Sequence, residues 1–563
     1  MLLLSPLIMA CAAASPAQVV GGDFEVFRNF DGPVSWEGFG YSCAGAGDVN
    51  GDGIPDVIIG SYIEDVGGLN DVGTVDVFSG ANGNLLHHWE GVDEGGIFGV
   101  AVAGVGDINL DGYDDVIVGA QYEDNGATSF AGAAYVYSGF DGTQIHKFVG
   151  EYSYAYFGGA VASAGYVDAD NTPDIIIGSW NANNGSFYDY GAAYIYSGSS
   201  GSLIRKFSGT THNSRFGNSV AGVGDVNGDG IDDQLVGIPF EYLTGAGYGG
   251  RAILYSGADG SVIHQWDGYP DGSTLGWSVS AADDLNNDGV NDVVISSAYA
   301  NIGPKTQAGR VHVYSGADAS LIHKWDGETR IDVFGSSVAG VGDMDGDGVG
   351  EVVVGAYNAD RNGTDDEGAV YIYSGATGAP IYRQLGNSDD ILGHAVAALG
   401  DLDQDGHDEV LVSALGADTF GGNRAGRVSV IRFTPILYPS SEFVSASAGG
   451  IIQFNLDFPA AYGGLAYEVL ISASGVGPTH YGVDIPLTLD SLVMNTHAGI
   501  YPVMHHAMHG TLAKGGNGFA SISVPAGLDA SLIGNTYYLA AIAGSPGLAP
   551  QVSSISRTLT IIP

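Results

Sequence analysis

The chain has 563 residues, with 17 Lys and Arg against 64 Asp and Glu, a formal charge of −47. So acidic a protein repels phosphate backbones and anionic lipid headgroups, which argues against nucleic acid and membrane surfaces as partners. Cys11 and Cys43 are its two cysteines, so no internal disulfide framework is available and packing or metal must hold the fold.

Residues 1–17 (MLLLSPLIMACAAASPA) place an apolar stretch before small residues, the arrangement of a secretory signal peptide, although a basic n-region is missing. A lipoprotein alternative would modify Cys11, with Met9 a poor fit just before it. No later apolar run reaches the ~20 residues of a membrane-spanning helix, so a secreted or cell-surface protein is expected. Residues 23–32 then read as one strand ending in aromatic-Asp-Gly.

From there one unit recurs. Acidic loops of the form Asp-x-Asn/Asp-x-Asp-Gly-x-x-Asp/Glu begin at Asp48, Asp107, Tyr166, Asp225, Asp284, Asp343 and Asp401, spaced by 59 residues and finally by 58. A period that constant signals a closed or stacked repeat. In the sixth copy, residues 334–340 alternate small and apolar residues as a first strand, and the loop 343–351 leads into the aliphatic run 352–356. That run suits a strand covered on both faces. A polar loop, a third strand over 369–375 and a fourth over 380–383 complete four strands with tight turns, one propeller blade. The seventh copy lacks a fourth strand, and the segment 23–32 matches the missing pattern, so the N-terminus is expected to close the ring and remove a sheet edge.

After about 436 the repeat stops. Alternating runs at 451–458, 467–472, 519–524, 537–543 and 555–562 predict a separate sandwich-like domain. The expected fold is therefore all-β: signal peptide 1–17, seven-bladed β-propeller 18–435, smaller C-terminal β-sandwich-like domain 436–563.

The loop chemistry points to calcium. In the first copy Asp48, Asn50 and Asp52 offer oxygens at positions one, three and five, Gly53 permits the turn, Ile54 offers its carbonyl, and Asp56 closes at nine. Hard oxygens on a tight turn suit an ion taking six to eight oxygen ligands. A helix-loop-helix calcium hand or a dockerin needs a carboxylate at position twelve and a following helix, whereas position twelve here is aliphatic throughout, from Ile59 to Val412. The carboxylates could instead cap turns with no ion. Against that, neighbouring anions about 4 Å apart repel by ~4 kcal/mol per pair at an effective dielectric near 20, a penalty a divalent cation removes.

With Phe-Gly before the loop and a Gly-Ala-like ending after it (Phe98-Gly99 to Gly119-Ala120, Phe334-Gly335 to Gly355-Ala356), the repeats resemble the FG-GAP repeats of integrin alpha-subunit propellers over residues 23–433. The resemblance implies calcium at five further loops. Their residues are Asp107, Asn109, Asp111, Tyr113 and Asp115; Asp225, Asn227, Asp229, Ile231 and Asp233; Asp284, Asn286, Asp288, Val290 and Asp292; Asp343, Asp345, Asp347, Val349 and Glu351; and Asp401, Asp403, Asp405, His407 and Glu409. The third loop departs from the pattern, with Tyr166 at position one and Asn171 in place of glycine, leaving Asp168, Asp170 and Asp174. Six calcium ions are expected, with a seventh site degenerate.

Strand order puts the acidic loops on one propeller face and the long irregular loops on the other. The second face carries Trp36, Tyr152, Tyr154, Tyr156, Trp180, Phe187, Tyr188, Tyr190, Tyr242, Tyr248 and Tyr269, which suit protein or carbohydrate contacts or wedge between blades. The recurring His87, His146, His264 and His323 read as structural, and His505, His506 and His509 lack a helix to align them as ligands. With no nucleophile elbow, phosphate loop or His-Glu-x-x-His motif, no catalytic residue is expected. The leading expectation is a calcium-dependent binding or adhesion module. A surface-layer component and a polysaccharide-acting propeller enzyme are the alternatives.

Overall fold

In the computed structural model, residues 24–433 are described apart from 127, 169, 184–189, 244–246, 270–271 and 361–365, and beyond 433 backbone strands alone are described. The aliphatic runs after the acidic loops form the strands Asp56–Ser61, Asp115–Ala120, Asp174–Ser179, Asp233–Ile238, Asp292–Ser297, Glu351–Ala356 and Glu409–Ala414. All their residues are buried. Coverage on both faces is why these runs are continuously apolar rather than alternating. Each is the second strand of its own four-stranded sheet. The first strands pack on one another around a ring, Leu392–Gly400 of the last blade against Phe39–Gly47 of the first. The architecture is a seven-bladed β-propeller.

The seam closes as expected. Phe24–Asp31 lies beside Arg427–Phe433 in the seventh sheet. Arg427 grips Asp31 with two bonds (Nε to Oδ1 2.6 Å, Nη2 to Oδ2 3.1 Å). The pairs Arg251–Asp267 and Arg310–Asp326 make the same link within blades four and five. The aromatic-Asp-Gly ending of the N-terminal segment is thus the signature of a fourth strand, here supplied from the far end of the chain.

The repeated Phe-Gly and Gly-Ala pieces meet across blade boundaries. A Cβ on Gly119 would stand 1.9 Å from the carbonyl oxygen of Gly158 in the next blade, so only a bare backbone allows that approach. Phe98, Phe157 and Phe334 are buried and meet Tyr135, Tyr194 and Tyr371 edge-on, with centroids 5.6, 5.3 and 5.3 Å apart. Edge-to-face geometry of this kind adds about 0.5–1.5 kcal/mol beyond the area buried. The Phe-Gly step is also where the first strand departs from expectation. In blade six the strand is Val338–Val341, beginning after Gly335, whose φ of +86° takes the chain out of the pleat.

The recurring histidines are structural. His87, His146 and His323 donate from Nε2 to the carbonyls of Gly139, Gly198 and Gly375 in the following blade, at 2.6, 2.7 and 2.5 Å. His264 reaches Ala317 at 3.3 Å, and Arg205 serves Gly257 at 3.0 Å in the same way.

All five alternating runs of the C-terminal part contain strands, Gly450–Asp457, Ala466–Ser472, Asn517–Val524, Thr536–Gly544 and Arg557–Ile562. Residues 1–17, where a signal peptide is expected, with Cys11, and the side chains of His505, His506 and His509, lie outside the described residues. Cys43 is buried in the first blade, its thiol pushed up to about 12 by burial. Among the described residues no helix is long and apolar enough to cross a membrane.

Candidate functional site

Each acidic loop spans the turn between a first and a second strand, and its backbone is wound around its own carboxylates. In the first loop Asp48 accepts the N–H groups of Asp52 (3.0 Å) and Gly53 (2.8 Å), while Asp52 accepts that of Ile54 (3.0 Å). Loops two, four, five, six and seven repeat this wrapping at Asp107, Asp225, Asp284, Asp343 and Asp401. The carbonyl-bearing Ile54, Tyr113, Ile231, Val290, Val349 and His407 follow directly, their N–H groups tied to the position-five carboxylates.

Position nine is the anchor. Asp56, Asp115, Asp174, Asp233, Asp292, Glu351 and Glu409 are all buried at the root of the second strand. Asp56 accepts Val49 N–H (3.0 Å) and Gly80 N–H (2.9 Å), the second from the turn after the third strand. Burial pushes Asp56, Asp174, Asp233 and Asp292 up to about 6 and Asp115 up to about 7, with the loop's other carboxylates adding to the rise. The two glutamates rise further, Glu409 to about 8 and Glu351 to about 10, from the same cause.

The loops divide by position three. Where it is asparagine, the side-chain amide donates to position nine: Asn50 to Asp56 at 3.0 Å, Asn227 to Asp233 at 3.3 Å, Asn286 to Asp292 at 3.4 Å and Asn109 to Asp115 at 3.5 Å. Where it is aspartate, carboxylate oxygens converge to within 4.8 Å: Asp343, Asp345, Asp347 and Glu351; Asp168, Asp170 and Asp174; and Asp401, Asp403 and Glu409, with Asp405 outside the last group. Glu351 Oε1, Glu409 Oε1 and Asp403 Oδ1 are buried with no hydrogen-bond partner. Oxygens left bare among like charges fit a divalent cation, which would meet their need for a positive partner.

The third loop keeps its shape despite Asn171, which adopts the left-handed backbone (φ +64°) that glycine would. The hydroxyls of Ser199 and Thr172 hold the Asp170 carboxyl below its ordinary range, and Asp174 accepts Val167 N–H at 2.8 Å.

The seventh loop contains an arginine that loop spacing alone does not reveal. In blades two to five the third-strand serines Ser138, Ser197, Ser256 and Ser315 donate to the position-five carboxylates at 3.2, 3.4, 3.4 and 3.1 Å. The corresponding residue of blade seven is Arg432, whose Nη1 lies 2.9 Å from Asp403 Oδ2. One of the four carboxylates at that loop's positions one, three, five and nine is therefore paired from within the chain.

The opposite face holds a collar of rings around the axis. Tyr62, Tyr122, Trp180, Phe240, Tyr299 and Tyr357 follow the ends of successive second strands. Rings from the starts of the first strands join them. Centroids of Tyr62–Tyr41, Tyr41–His394 and His394–Tyr357 lie 4.0, 4.8 and 5.8 Å apart. Tyr357 shares a hydrogen bond with Tyr299, and Tyr299–Trp277 and Trp277–Phe240 follow at 4.8 and 6.4 Å. Arg215 sits 4.7 Å from both the Phe240 and Trp180 rings, and Trp180–Tyr156–Tyr122 extends the run at 4.6 and 5.1 Å. Burial and its tyrosine neighbours push Tyr41 up to about 12, and burial draws His394 down to about 4, so neither is charged at neutral pH. Of the loop aromatics expected here, Trp36, Tyr154, Tyr242, Tyr248 and Tyr269 are exposed, Tyr156 and Trp180 belong to the collar, and Phe187 and Tyr188 lie outside the described residues. The signal for the collar is an aromatic one or two residues beyond six of the seven second strands, at intervals of 58 to 60 residues.

Fold and loops together define a repeat propeller with acidic turns on one face. The FG-GAP repeat family model matches residues 39–78, 98–137, 216–255, 275–314, 334–373 and 392–431, passing over the third, degenerate copy. The chain belongs to the FG-GAP repeat proteins and is integrin alpha-like. It is 32% identical to integrin alpha-5 of Xenopus laevis over 51% of this chain and 28% of that one, and 28% identical to integrin alpha-V of Gallus gallus over 55% and 31%. It is also 38% identical to integrin alpha pat-2 of Caenorhabditis briggsae over 26% of this chain and 14% of that one. The chain spans less than a third of the length of these relatives. A solved europium-containing methanol dehydrogenase aligns over 74% of this chain and 95% of its own at 8% identity and a TM-score of 0.38, too slight a likeness to carry an argument.

Proposed function

We propose that this protein is a secreted or cell-surface calcium-binding propeller that acts as an adhesion or binding module for an extracellular protein or carbohydrate, and not as an enzyme. The observation that carries the reading is the division of labour between faces: carboxylates suited to a divalent ion on one, a collar of aromatic rings on the other. Its similarity to integrin alpha chains supports the adhesion class. Tyr, Trp and Arg are the side chains that most often dominate binding energy at interfaces, and the collar is built from them. The test is an array of extracellular-matrix proteins and glycans probed with the full chain. Binding is expected in millimolar calcium, to fall sharply in chelator, and to weaken on Tyr41→Ala. Turnover of a bound glycan would instead identify an enzyme, and binding indifferent to calcium and to the collar would end the reading.

In this reading calcium occupies the six complete loops, with Asp168, Asp170 and Asp174 a weaker seventh site. Arg432 predicts that the loop of blade seven is also weak, because a guanidinium on Asp403 opposes a second cation there. Arg432→Ser installs the residue present at this place in the other six blades. It is expected to tighten one calcium site by tenfold or more in a calorimetric titration. An unchanged isotherm would show that the arginine does not compete.

A further inference from the structure

One cation in the collar has no anionic partner among the described residues. Arg215 is half-buried, clasped at 4.7 Å between the rings of Trp180 and Phe240. Among the described residues its guanidinium makes neither a hydrogen bond nor an ion pair, although the chain carries 64 acidic side chains. The titratable groups that act on it are the phenols of Tyr122 and Tyr299, and burial lowers its pKa. Its backbone is held in the left-handed region (φ +58°), as are its counterparts Ile97, Tyr156, Thr274 and Val333, so the repeat's own loop geometry presents this side chain to the collar. Beside it opens a cleft of about 340 Å³ lined by Trp180, Asn181, Asn213, Arg215, Phe240 and Tyr248.

We propose that this cleft binds an acidic sugar, with Arg215 receiving the carboxylate of a uronate unit. The inference rests on the collar face being the ligand face and names the ligand class for it. A guanidinium presents five N–H donors in a rigid fork that matches a carboxylate with two parallel bonds, and rings stacked on its faces leave those edges free. Desolvating Arg215 without a partner is unfavourable, and an incoming carboxylate relieves that cost. Tyr248 stands on a two-strand hairpin against Tyr242, both more than half exposed, and supplies an apolar wall. Asn181 donates its amide N–H to Tyr154 O at 2.7 Å, which leaves its side-chain oxygen to accept a hydroxyl. The volume is at the small end of ligand pockets and admits roughly one or two sugar rings. An extended peptide would need a longer groove or an open strand edge to satisfy its backbone.

The experiment titrates trigalacturonate and, as neutral control, maltotriose into the full chain in calcium, followed by calorimetry. Trigalacturonate is expected to bind at least tenfold more tightly than maltotriose. Arg215→Gln should lose at least tenfold in that affinity while calcium binding and melting temperature stay as they were, and Arg215→Lys should restore only part, since an ammonium lacks the fork. Tyr248→Ala, at an exposed position that cannot disturb the core, should also weaken binding. Equal affinity for the neutral sugar, or an Arg215→Gln variant that binds normally, overturns the proposal. So does an acidic peptide such as oligoglutamate that binds while trigalacturonate does not. If trigalacturonate fails while calcium-dependent binding to another array component persists, this inference falls and the adhesion reading stands.

Discussion

Chelating calcium at pH 7.5 is expected to lower the melting temperature of the propeller by on the order of 10 °C, and by much less at pH 5. The reason lies in the buried position-nine carboxylates, all of them pushed above the ordinary carboxylate range, five of them to about 6 or 7. A carboxylate whose folded pKa exceeds its unfolded value supports the fold fully below the unfolded value, and that support is lost as pH rises through the folded one. Without an ion, raising pH from about 4 towards 7 therefore destabilises the ring, because buried anions must form beside Asp48, Asp52 and their equivalents. Calcium bound as proposed would reverse the sign by making the ionised form the favoured one. If each of the five complete loops without an internal arginine has a Kd of ~10⁻⁴ M, as in extracellular modules, calcium at ten times Kd adds about 1.4 kcal/mol per site, or roughly 7 kcal/mol over the five. That rivals the whole stability of an ordinary domain. Scanning calorimetry with and without EDTA at the two pH values decides the matter. Melting curves that coincide at pH 7.5 would mean that the loops are turns and nothing more.

Phe334→Ala should cost about 3–5 kcal/mol, the range for truncating a fully buried aromatic. Phe334 is buried against Val311 and Val313 of its own neighbourhood and meets Tyr371 and Tyr373 edge-on at 5.3 and 6.2 Å. It lies at a joint between two blades, so its loss opens a cavity that neither sheet can close alone. Phe334→Leu is the informative companion. Leu275 and Leu392 occupy the same place in blades five and seven and are buried there, so leucine should cost under about 1.5 kcal/mol. Urea melts of the two variants in saturating calcium give both numbers. An alanine variant as stable as the leucine one would show that the joint does not depend on this ring.

Much of this protein is legible in one dimension because each blade is built from residues close in sequence. The 59-residue interval, the loop residues Asp48 to Asp56, and the continuous aliphatic strand that follows are local patterns, and local patterns dictate local structure. Even the long-range closure of the ring is visible, since residues 24–32 carry the fourth-strand ending that the seventh copy lacks. The fold does the rest by bringing equivalent positions of different blades to a common axis. Tyr41, His394 and Tyr357 are distant in the chain and 4.8 to 5.8 Å apart in space.

What the chain order alone determined is the number of blades, the acidic turns and the face on which they lie, because strand alternation and turn chemistry act over a few residues. Tertiary structure alone decided that six second-strand aromatics become one collar, that Arg215 is held there with no counter-ion among the described residues, and that Arg432 reaches into a loop that reads as a complete metal site. Each of these depends on side chains from separate turns or separate blades meeting at one point, and no spacing rule along the sequence encodes that distance.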